Sequence, residues 1–228
     1  MRRTNARQKS YPRCLPQTDR SLTHMKLHWS PRSPYVRKVM MVAHETGLVD
    51  RLELVRSVVA MSKPNRDVLR DNPLGRIPTL ITDDGTIVFD SIVICEYLDS
   101  LHAGPKLFPA SGPARWQALR WHALGDGMLD TLIIFRNERE QPPAQRNPDW
   151  LANFGVKIAT SLDAIERETG ALDAAPFGIG HLALACALGY LDFRFEDLGW
   201  RNGRPRAAAW FEKVAQRPSV RLTAPAQE

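Results

Sequence analysis

The sequence is poor in the residues that form disulfides and metal sites. Its three cysteines, Cys14, Cys95 and Cys186, lie far apart and form no C-x-x-C pair. Such sparse cysteine argues against a disulfide scaffold and favours a reducing compartment, so we expect a cytoplasmic protein. We assign none of the six histidines to a metal site and expect no metal. No apolar run approaches the ~18 residues of a membrane span, and we expect no membrane partner.

The chain also lacks a general excess of positive charge outside its first residues. Its formal net charge is +6. Residues 1–24 carry six basic side chains and one acidic one, which accounts for +5 and leaves +1 for the rest of the chain. A nucleic-acid-binding surface needs a clustered basic field. We therefore expect no nucleic-acid partner for the folded part.

The first 24 residues differ in composition from the rest. Residues 1–24 are rich in Arg, Ser, Thr, Gln and Pro and have almost no apolar periodicity. We interpret them as a disordered basic extension. They lack the apolar core of about 7–15 residues that a secretory signal requires. Met25 opens a run, Met-Lys-Leu-His-Trp, that resembles a natural start, and we hypothesise that translation begins there.

Residues 72–101 combine three structural devices. Pro78 stands where an apolar strand begins, and because proline has no N–H for a sheet ladder it marks an edge or a bend. An Asp-Gly pair between two short β-prone runs predicts a hairpin. Asp90 and Ser91 precede an apolar face at helical spacing and are good N-caps. Because a helix N-terminus offers free N–H groups to a carboxylate, this stretch looks like half of a small-molecule site.

The chain from residue 25 onwards divides into two patterns. Residues 25–102 follow the order strand–helix–strand–helix–strand–strand–helix. Residues 103–113 are rich in Gly and Pro and are typical of a linker. Residues 114–222 have helical periodicity in four segments, and residues 223–228 form a tail. This order predicts an α/β domain followed by an all-α helical bundle.

Four short motifs stand out along the chain. Asn-Pro-x-Gly-Arg-Ile-Pro-Thr-Leu starts at Asn72, and Asp-Ser at position 90 opens an apolar helix. The other two are Ala-Leu-Gly-Tyr-Leu-Asp-Phe at 187–193 and Arg-Pro-Ser-Val at 217–220. All four resemble motifs of the glutathione S-transferase family, the last two those of bacterial members. The resemblance spans about residues 25–222. It implies a thioredoxin-like N-terminal domain, an all-helical C-terminal domain and a homodimer.

The resemblance also implies that glutathione is the co-substrate. It implies a cis peptide bond before Pro78 and backbone pairing between Ile77 and the cysteinyl part of glutathione. Asp90 and Ser91 would hold the γ-glutamyl end, although the family usually has Glu-Ser and Asp90 is one methylene shorter. The alternative for this pair is a simple helix cap. We assign Arg76 to a glutathione carboxylate, against the alternative of a solvated surface charge.

The glutathione thiolate is the nucleophile, so the site needs a donor beside the sulfur. Ser33-Pro34-Tyr35-Val36 resembles the Cys-Pro-Tyr-Cys of glutaredoxins with both cysteines replaced, which leaves a hydroxyl in the nucleophile's place. Ser33 is also a candidate N-cap, which would set a helix N-terminus behind the sulfur. We predict Ser33 as the thiolate stabiliser. Ser30 is the alternative residue, and a plain helix cap is the alternative role for Ser33.

We therefore predict a glutathione transferase that conjugates glutathione to a small apolar electrophile. The alternatives are another glutathione-dependent enzyme on the same site, such as a peroxidase, an isomerase or a dehalogenase, and a non-catalytic binding or regulatory module. The first helix lacks the Ser-Ser-Cys of the isomerase-like class. The electrophile is not identified, because the second domain that selects it is variable. Trp121 and His122 are candidates for that pocket, although a packing role is favoured.

Two further expectations concern the second domain and the thiols. The helix that contains residues 187–193 would start with Ser/Thr-x-x-Asp in the family, whereas this sequence has Gly178 and His181 there. We expect a weaker cap, since Gly has no side chain and His does not replace the carboxylate. Cys95 and Cys186 lie on apolar helix faces and are expected to be inert core thiols.

Overall fold

A computed structural model of the protein describes residues 24–226. All of the predicted basic extension except His24 lies outside the described residues. Within residues 24–226, no helix is both long enough and apolar enough to cross a membrane. The described chain forms an α/β unit followed by a helical unit, as the sequence predicts.

The first unit is built on a four-stranded mixed sheet with the strand order β2-β1-β3-β4. The strands are β1 (Met25–Trp29), β2 (Leu52–Arg56), β3 (Thr79–Ile81) and β4 (Ile87–Val88). The helices are α1 (Pro34–Glu45), α2 (Arg66–Asp71) and α3 (Ser91–Ser100). These elements confirm the predicted order of strands and helices.

The register of β1 decides which loops meet at one edge of the sheet. β1 runs parallel to β2 and antiparallel to β3, with His28 opposite Thr79. In an antiparallel pair one strand ends beside the start of the other. The segment between β1 and α1 therefore lies next to the turn that contains Pro78, although the two are far apart in sequence.

The second unit is helical. It contains α4 (Gly112–Arg139), α5 (Pro148–Ala174), α6 (Ile179–Arg194), α7 (Pro205–Ala215) and α8 (Pro218–Leu222). The sequence predicts four helical segments here, with Pro218 beyond the last. The structure adds α8, because Pro218 occupies the first position of a new short helix, where its missing N–H is not needed.

The segment between the two units is hydrogen-bonded to both of them. Asp99 of α3 is buried, and its carboxylate accepts the N–H groups of Leu107 at 2.8 Å and Phe108 at 3.1 Å. The Leu107 carbonyl in turn accepts the N–H of Ile179, at the start of α6, at 3.0 Å. A short chain of hydrogen bonds thus joins α3 to α6 through the predicted linker.

The start of α6 corrects the expected cap. His181 Nδ1 accepts the Gly178 N–H at 3.2 Å, and the ring pairs through Nε2 with the Leu172 carbonyl at 2.9 Å. The imidazole takes the carboxylate's place, so the expectation that His does not replace it is wrong. Burial holds the pKa of His181 below its ordinary value, which favours the neutral ring that can accept. Glycine is required at 178, since a Cβ would lie 2.5 Å from the Leu107 carbonyl oxygen.

Helices α4 and α6 approach each other closely at glycines. A Cβ on Gly125 of α4 would lie 2.6 Å from the carbonyl carbon of Ala183, and a Cβ on Gly180 of α6 would lie 2.8 Å from Trp121 Cβ. A backbone atom cannot move aside as a flexible side chain can. Gly127, on the same helix as Gly125, has nothing within 4 Å of an added Cβ.

This contrast yields a matched pair of substitutions. Gly125→Ala should lower the free energy of unfolding by about 1–3 kcal/mol, because overpacking forces α4 away from α6. Gly127→Ala should raise it by up to ~1 kcal/mol, because alanine favours the helix. Denaturant titration followed by circular dichroism measures both. Similar effects of the same sign at the two positions would contradict the close approach.

Candidate active site

Ser33 is the N-cap of α1. Its Oγ accepts the backbone N–H of Val36 at 3.3 Å, and Pro34 occupies the first helical position. The side chain is half-buried, and its hydroxyl hydrogen goes to no other residue of the described chain. Ser33 therefore has a hydrogen to donate at a helix N-terminus, where the partial positive charge of the helix favours an anion.

Ser30 lies in the same turn but is buried, with 7% of its surface exposed. Its Oγ accepts the N–H of Arg32 at 3.4 Å, and its carbonyl accepts the N–H of Ser33 at 3.2 Å. The lower exposure makes Ser30 less accessible to a bound molecule than the half-buried Ser33.

The peptide bond between Ile77 and Pro78 is cis, as the resemblance implies. Ile77 precedes β3, and neither its N–H nor its carbonyl makes a hydrogen bond to another residue in the range 24–226. An extended ligand could pair with both groups as an added strand would. The sheet register puts this free backbone beside the segment that carries Ser33.

Asn72 holds the turn that precedes Pro78, and the sequence reasoning did not identify it. Asn72 is buried, and its Nδ2 donates to the Arg76 carbonyl at 3.2 Å and to Thr79 Oγ1 at 3.0 Å. Its Oδ1 accepts the N–H of Leu74 at 2.9 Å. This last bond is the local i to i+2 pattern by which Asn initiates turns, so the Asn-Pro pair carried a usable signal.

Asp90 is the N-cap of α3, and its Oδ1 accepts the N–H of Ile92 at 3.0 Å. Asp90 is exposed, whereas Ser91 is buried with its Oγ 3.5 Å from Asp90 Oδ1. Val88 of β4 pairs with Leu80 of β3 in antiparallel register. Asp90 follows Val88 by two residues, so it returns to the edge of the sheet at which Pro78 precedes β3.

Arg76 is exposed and makes no ion pair with another of the described residues. Its charge acts on the hydroxyl of Tyr35, in the first turn of α1. The Arg76 side chain therefore lies near the same helix N-terminus as Ser33. The six site residues predicted from the sequence therefore lie at one edge of the sheet: Ser33, Arg76, Ile77, Pro78, Asp90 and Ser91.

Tyr35 links this edge to the second domain, and the sequence reasoning gave it no role. Its hydroxyl donates a hydrogen bond to Asp130 of α4. Burial, and then the hydrogen bond to Asp130, raise the pKa of Tyr35 well above its ordinary value. The phenol stays neutral and its hydrogen is already donated, so Tyr35 is a poorer donor to a ligand than Ser33.

The two described cysteines are not candidates for chemistry. Cys95 and Cys186 are fully buried, which confirms that they are core thiols. Burial raises the pKa of Cys95 to about 12 and that of Cys186 to about 11. Trp121 and His122 are also buried, which agrees with the favoured packing role. In the described part of the chain, no group of three or more His, Cys, Asp and Glu residues is placed to hold a metal.

Comparison with known proteins shows the family and the fold. Family models described as "Glutathione S-transferase, N-terminal domain" and "Glutathione S-transferase, C-terminal domain" match residues 32–101 and 148–213. The chain belongs to the glutathione S-transferase family. The mixed sheet followed by the helical unit is therefore the two-domain fold of that family.

Several relatives cover most of the chain. An uncharacterized GST-like protein of Escherichia coli K12, YibF, is 32% identical over 203 residues, which cover 88% of this chain and 98% of that protein. A crystal structure of a family member from Pseudomonas fluorescens Pf-5 with bound glutathione has a TM-score of 0.86 and 43% identity, and covers 89% of this chain and 100% of that one. A glutathione S-transferase from Methylobacillus flagellatus with glutathione bound has a TM-score of 0.79 and 32% identity, with 89% and 100% covered.

Proposed function

We propose that this protein is a glutathione transferase in which Ser33 stabilises the glutathione thiolate. One observation supports this most directly. The free hydroxyl hydrogen of Ser33, the unpaired backbone of Ile77 and the exposed cap Asp90 lie along one edge of the sheet. Together they offer a hydrogen-bond donor for the sulfur, a strand edge and a carboxylate, which match the thiol, the backbone and the amino end of a γ-glutamyl tripeptide.

The tripeptide would lie along this edge. The Ile77 backbone, which has no hydrogen-bond partner within residues 24–226, pairs with the cysteinyl unit. The Asp90 carboxylate and the N-terminus of α3, which begins with Ser91, take the ammonium and carboxylate of the γ-glutamyl end. Arg76 takes a carboxylate. The Pseudomonas fluorescens relative was also crystallised with S-(propanoic acid)-glutathione, at 42% identity to this chain, which supports a site that accepts a thioether of glutathione.

The chemistry follows from thiol ionisation. An unperturbed thiol has a pKa of about 8.5 and is mostly protonated at pH 7. A hydrogen bond from Ser33 and the positive end of α1 both favour the thiolate. The sulfur lone pair then forms a bond to an electrophilic carbon, and the leaving group departs with its bonding electrons. The proposed second substrate is a small apolar electrophile, which approaches from the side of the helical domain.

The first test is glutathione binding by calorimetry, followed by conjugation with Ser33→Ala and Ser30→Ala. Ser33→Ala should raise the thiol pKa of bound glutathione and reduce the conjugation rate at neutral pH by about 10²-fold or more, as loss of a preorganised donor does. Glutathione affinity should change little, because the tripeptide contacts remain. Ser30→Ala is the matched control and should keep most of the activity.

Loss of conjugation in Ser30→Ala but not in Ser33→Ala would show that Ser30 is the residue that stabilises the thiolate. Unchanged activity in both variants would remove the hydroxyl from the mechanism. Glutathione binding without conjugation of any electrophile would favour a peroxidase, an isomerase or a dehalogenase, each of which has its own assay. No detectable binding would favour the non-catalytic module.

A substitution at Asp90 tests its role in glutathione binding separately from its role in folding. Asn is as good an N-cap as Asp, so Asp90→Asn should leave the free energy of unfolding nearly unchanged. It should weaken glutathione binding by about tenfold, since the group that accepts the γ-glutamyl ammonium's hydrogen bond loses its negative charge. Calorimetry and thermal unfolding measure the two effects. Wild-type affinity in a fully folded Asp90→Asn would show that Asp90 is only a helix cap.

We also propose that the protein is a cytoplasmic homodimer, as the family resemblance implies. Two apolar residues, Val93 of α3 and Trp116 of α4, have 49% and 69% of their surface exposed, and a second copy could cover them. Light scattering should give twice the mass of one chain at micromolar concentration. The mass of a single chain would contradict this proposal.

A further inference from the structure

A largely buried ionic cluster of Lys38, His122 and Asp126 joins α1 to α4. Lys38 of α1 is fully buried. Its Nζ lies 2.7 and 2.6 Å from the two carboxylate oxygens of Asp126 and 2.8 Å from His122 Nε2. His122 Nε2 also lies 3.1 Å from Asp126 Oδ2. Burial opposes ionisation of Asp126, but the hydrogen bond to His122 and the charge of Lys38 outweigh it and hold the pKa of Asp126 below its ordinary value.

Stability alone does not account for this cluster. Taking a lysine and an aspartate out of water is costly, and apolar residues of similar volume often pack at the same position with equal or greater stability. The best-attested use of a buried ion pair is to specify one register between two elements. The question is therefore which register the Lys38 and Asp126 pair sets.

The pair belongs to a ladder of two polar contacts along α1. Tyr35 contacts Asp130 in the first turn, and Lys38 contacts Asp126 one turn later. The spacing is three residues on α1 and four on α4, so both contacts lie on one face of each helix. A slip of α1 along α4 would break both contacts at once.

Ser33 caps the same helix, α1, that carries both contacts. It lies five residues before Lys38, which is about 7.5 Å along a helix that rises 1.5 Å per residue. The cluster also borders α3, because the charges of Lys38 and Asp126 act on the buried thiol of Cys95. Helix α3 carries Asp90 at its N-terminus. The cluster thus lies where α1, which carries Ser33, meets α3, which carries Asp90.

We propose that Lys38 and Asp126 are a positioning pair that sets the distance between Ser33 and the sulfur of bound glutathione. This inference rests on the proposed function. The pair touches neither glutathione nor the electrophile. It acts by fixing where α1 lies along α4, and the contact between Tyr35 and Asp130 reinforces it one turn closer to Ser33.

The central test is the double variant Lys38→Met/Asp126→Leu. It removes one positive and one negative charge, so the net charge of the site is kept, and apolar replacement favours folding. The thiol pKa of bound glutathione, read from thiolate absorbance, should rise by about one unit, and kcat should fall by about tenfold or more, as small misplacements of a catalytic group do. The glutathione KM should stay within about twofold, because the tripeptide contacts are untouched.

Two further variants complete the design. Asp126→Glu keeps the charge but moves the carboxylate by one methylene, and it should also raise the thiol pKa and lower kcat if placement is what matters. Lys213→Met removes a lysine paired with Asp173 at 2.8 Å, between α7 and α5. As the matched control within the second domain, it should leave the thiol pKa, kcat and KM unchanged.

The outcomes separate the two proposals. If the wild type lowers the glutathione thiol pKa and the folded double variant lowers it equally, the positioning role is wrong and the proposed function stands. If the double variant does not fold, Asp126→Glu decides the same point by the same readout. If the wild type itself does not lower the thiol pKa, the proposed function fails and this inference fails with it.

Discussion

The structure depends on how α1 is held between the two domains. Helix α3 packs on one side of it, and α6 and α8 pack on another. Nine of its twelve residues are buried, so the helix has little freedom to move. That burial includes Arg37 and Lys38, which are adjacent in sequence. Since burying a charge is costly without a partner, the groups of the second domain that meet these two cations help to fix the position of α1.

The two cations are received in different ways. Lys38 Nζ donates to the Asp126 carboxylate of α4 and lies 2.8 Å from His122 Nε2 on the same helix. The Arg37 guanidinium lies against Gly189 of α6, where an added Cβ would be 2.2 Å from Nη1, and its Nη2 donates to the Val220 carbonyl at 3.3 Å. Its Nε and Nη1 are buried and have no hydrogen-bond partner among the described residues. Helix α1 is therefore anchored to three helices of the other domain. The helix that presents Ser33 belongs to the first domain by sequence but to both domains by packing.

The two domains contribute different parts of the candidate site. The first domain provides the groups proposed to hold glutathione, and a sheet register of a few residue pairs brings them to one edge. The second domain reaches this edge through Asp130, which accepts the Tyr35 hydroxyl. The strand edge at Ile77 and the cap Asp90 lie within the first domain, whereas α1, which carries Ser33, also depends on contacts from α4.

Local sequence determined the parts of this protein that form from neighbouring residues. The caps Ser33 and Asp90, the hairpin and the helical periodicity each involve residues within one or two turns, and composition and motif are sufficient to predict them. Contacts such as Lys38 with Asp126, 88 residues apart, were decided only by the tertiary structure. So was the replacement of a carboxylate by His181. A lysine in a helical pattern favours solvent unless a partner is known, and the partner is fixed by how the helices pack, which no local pattern encodes.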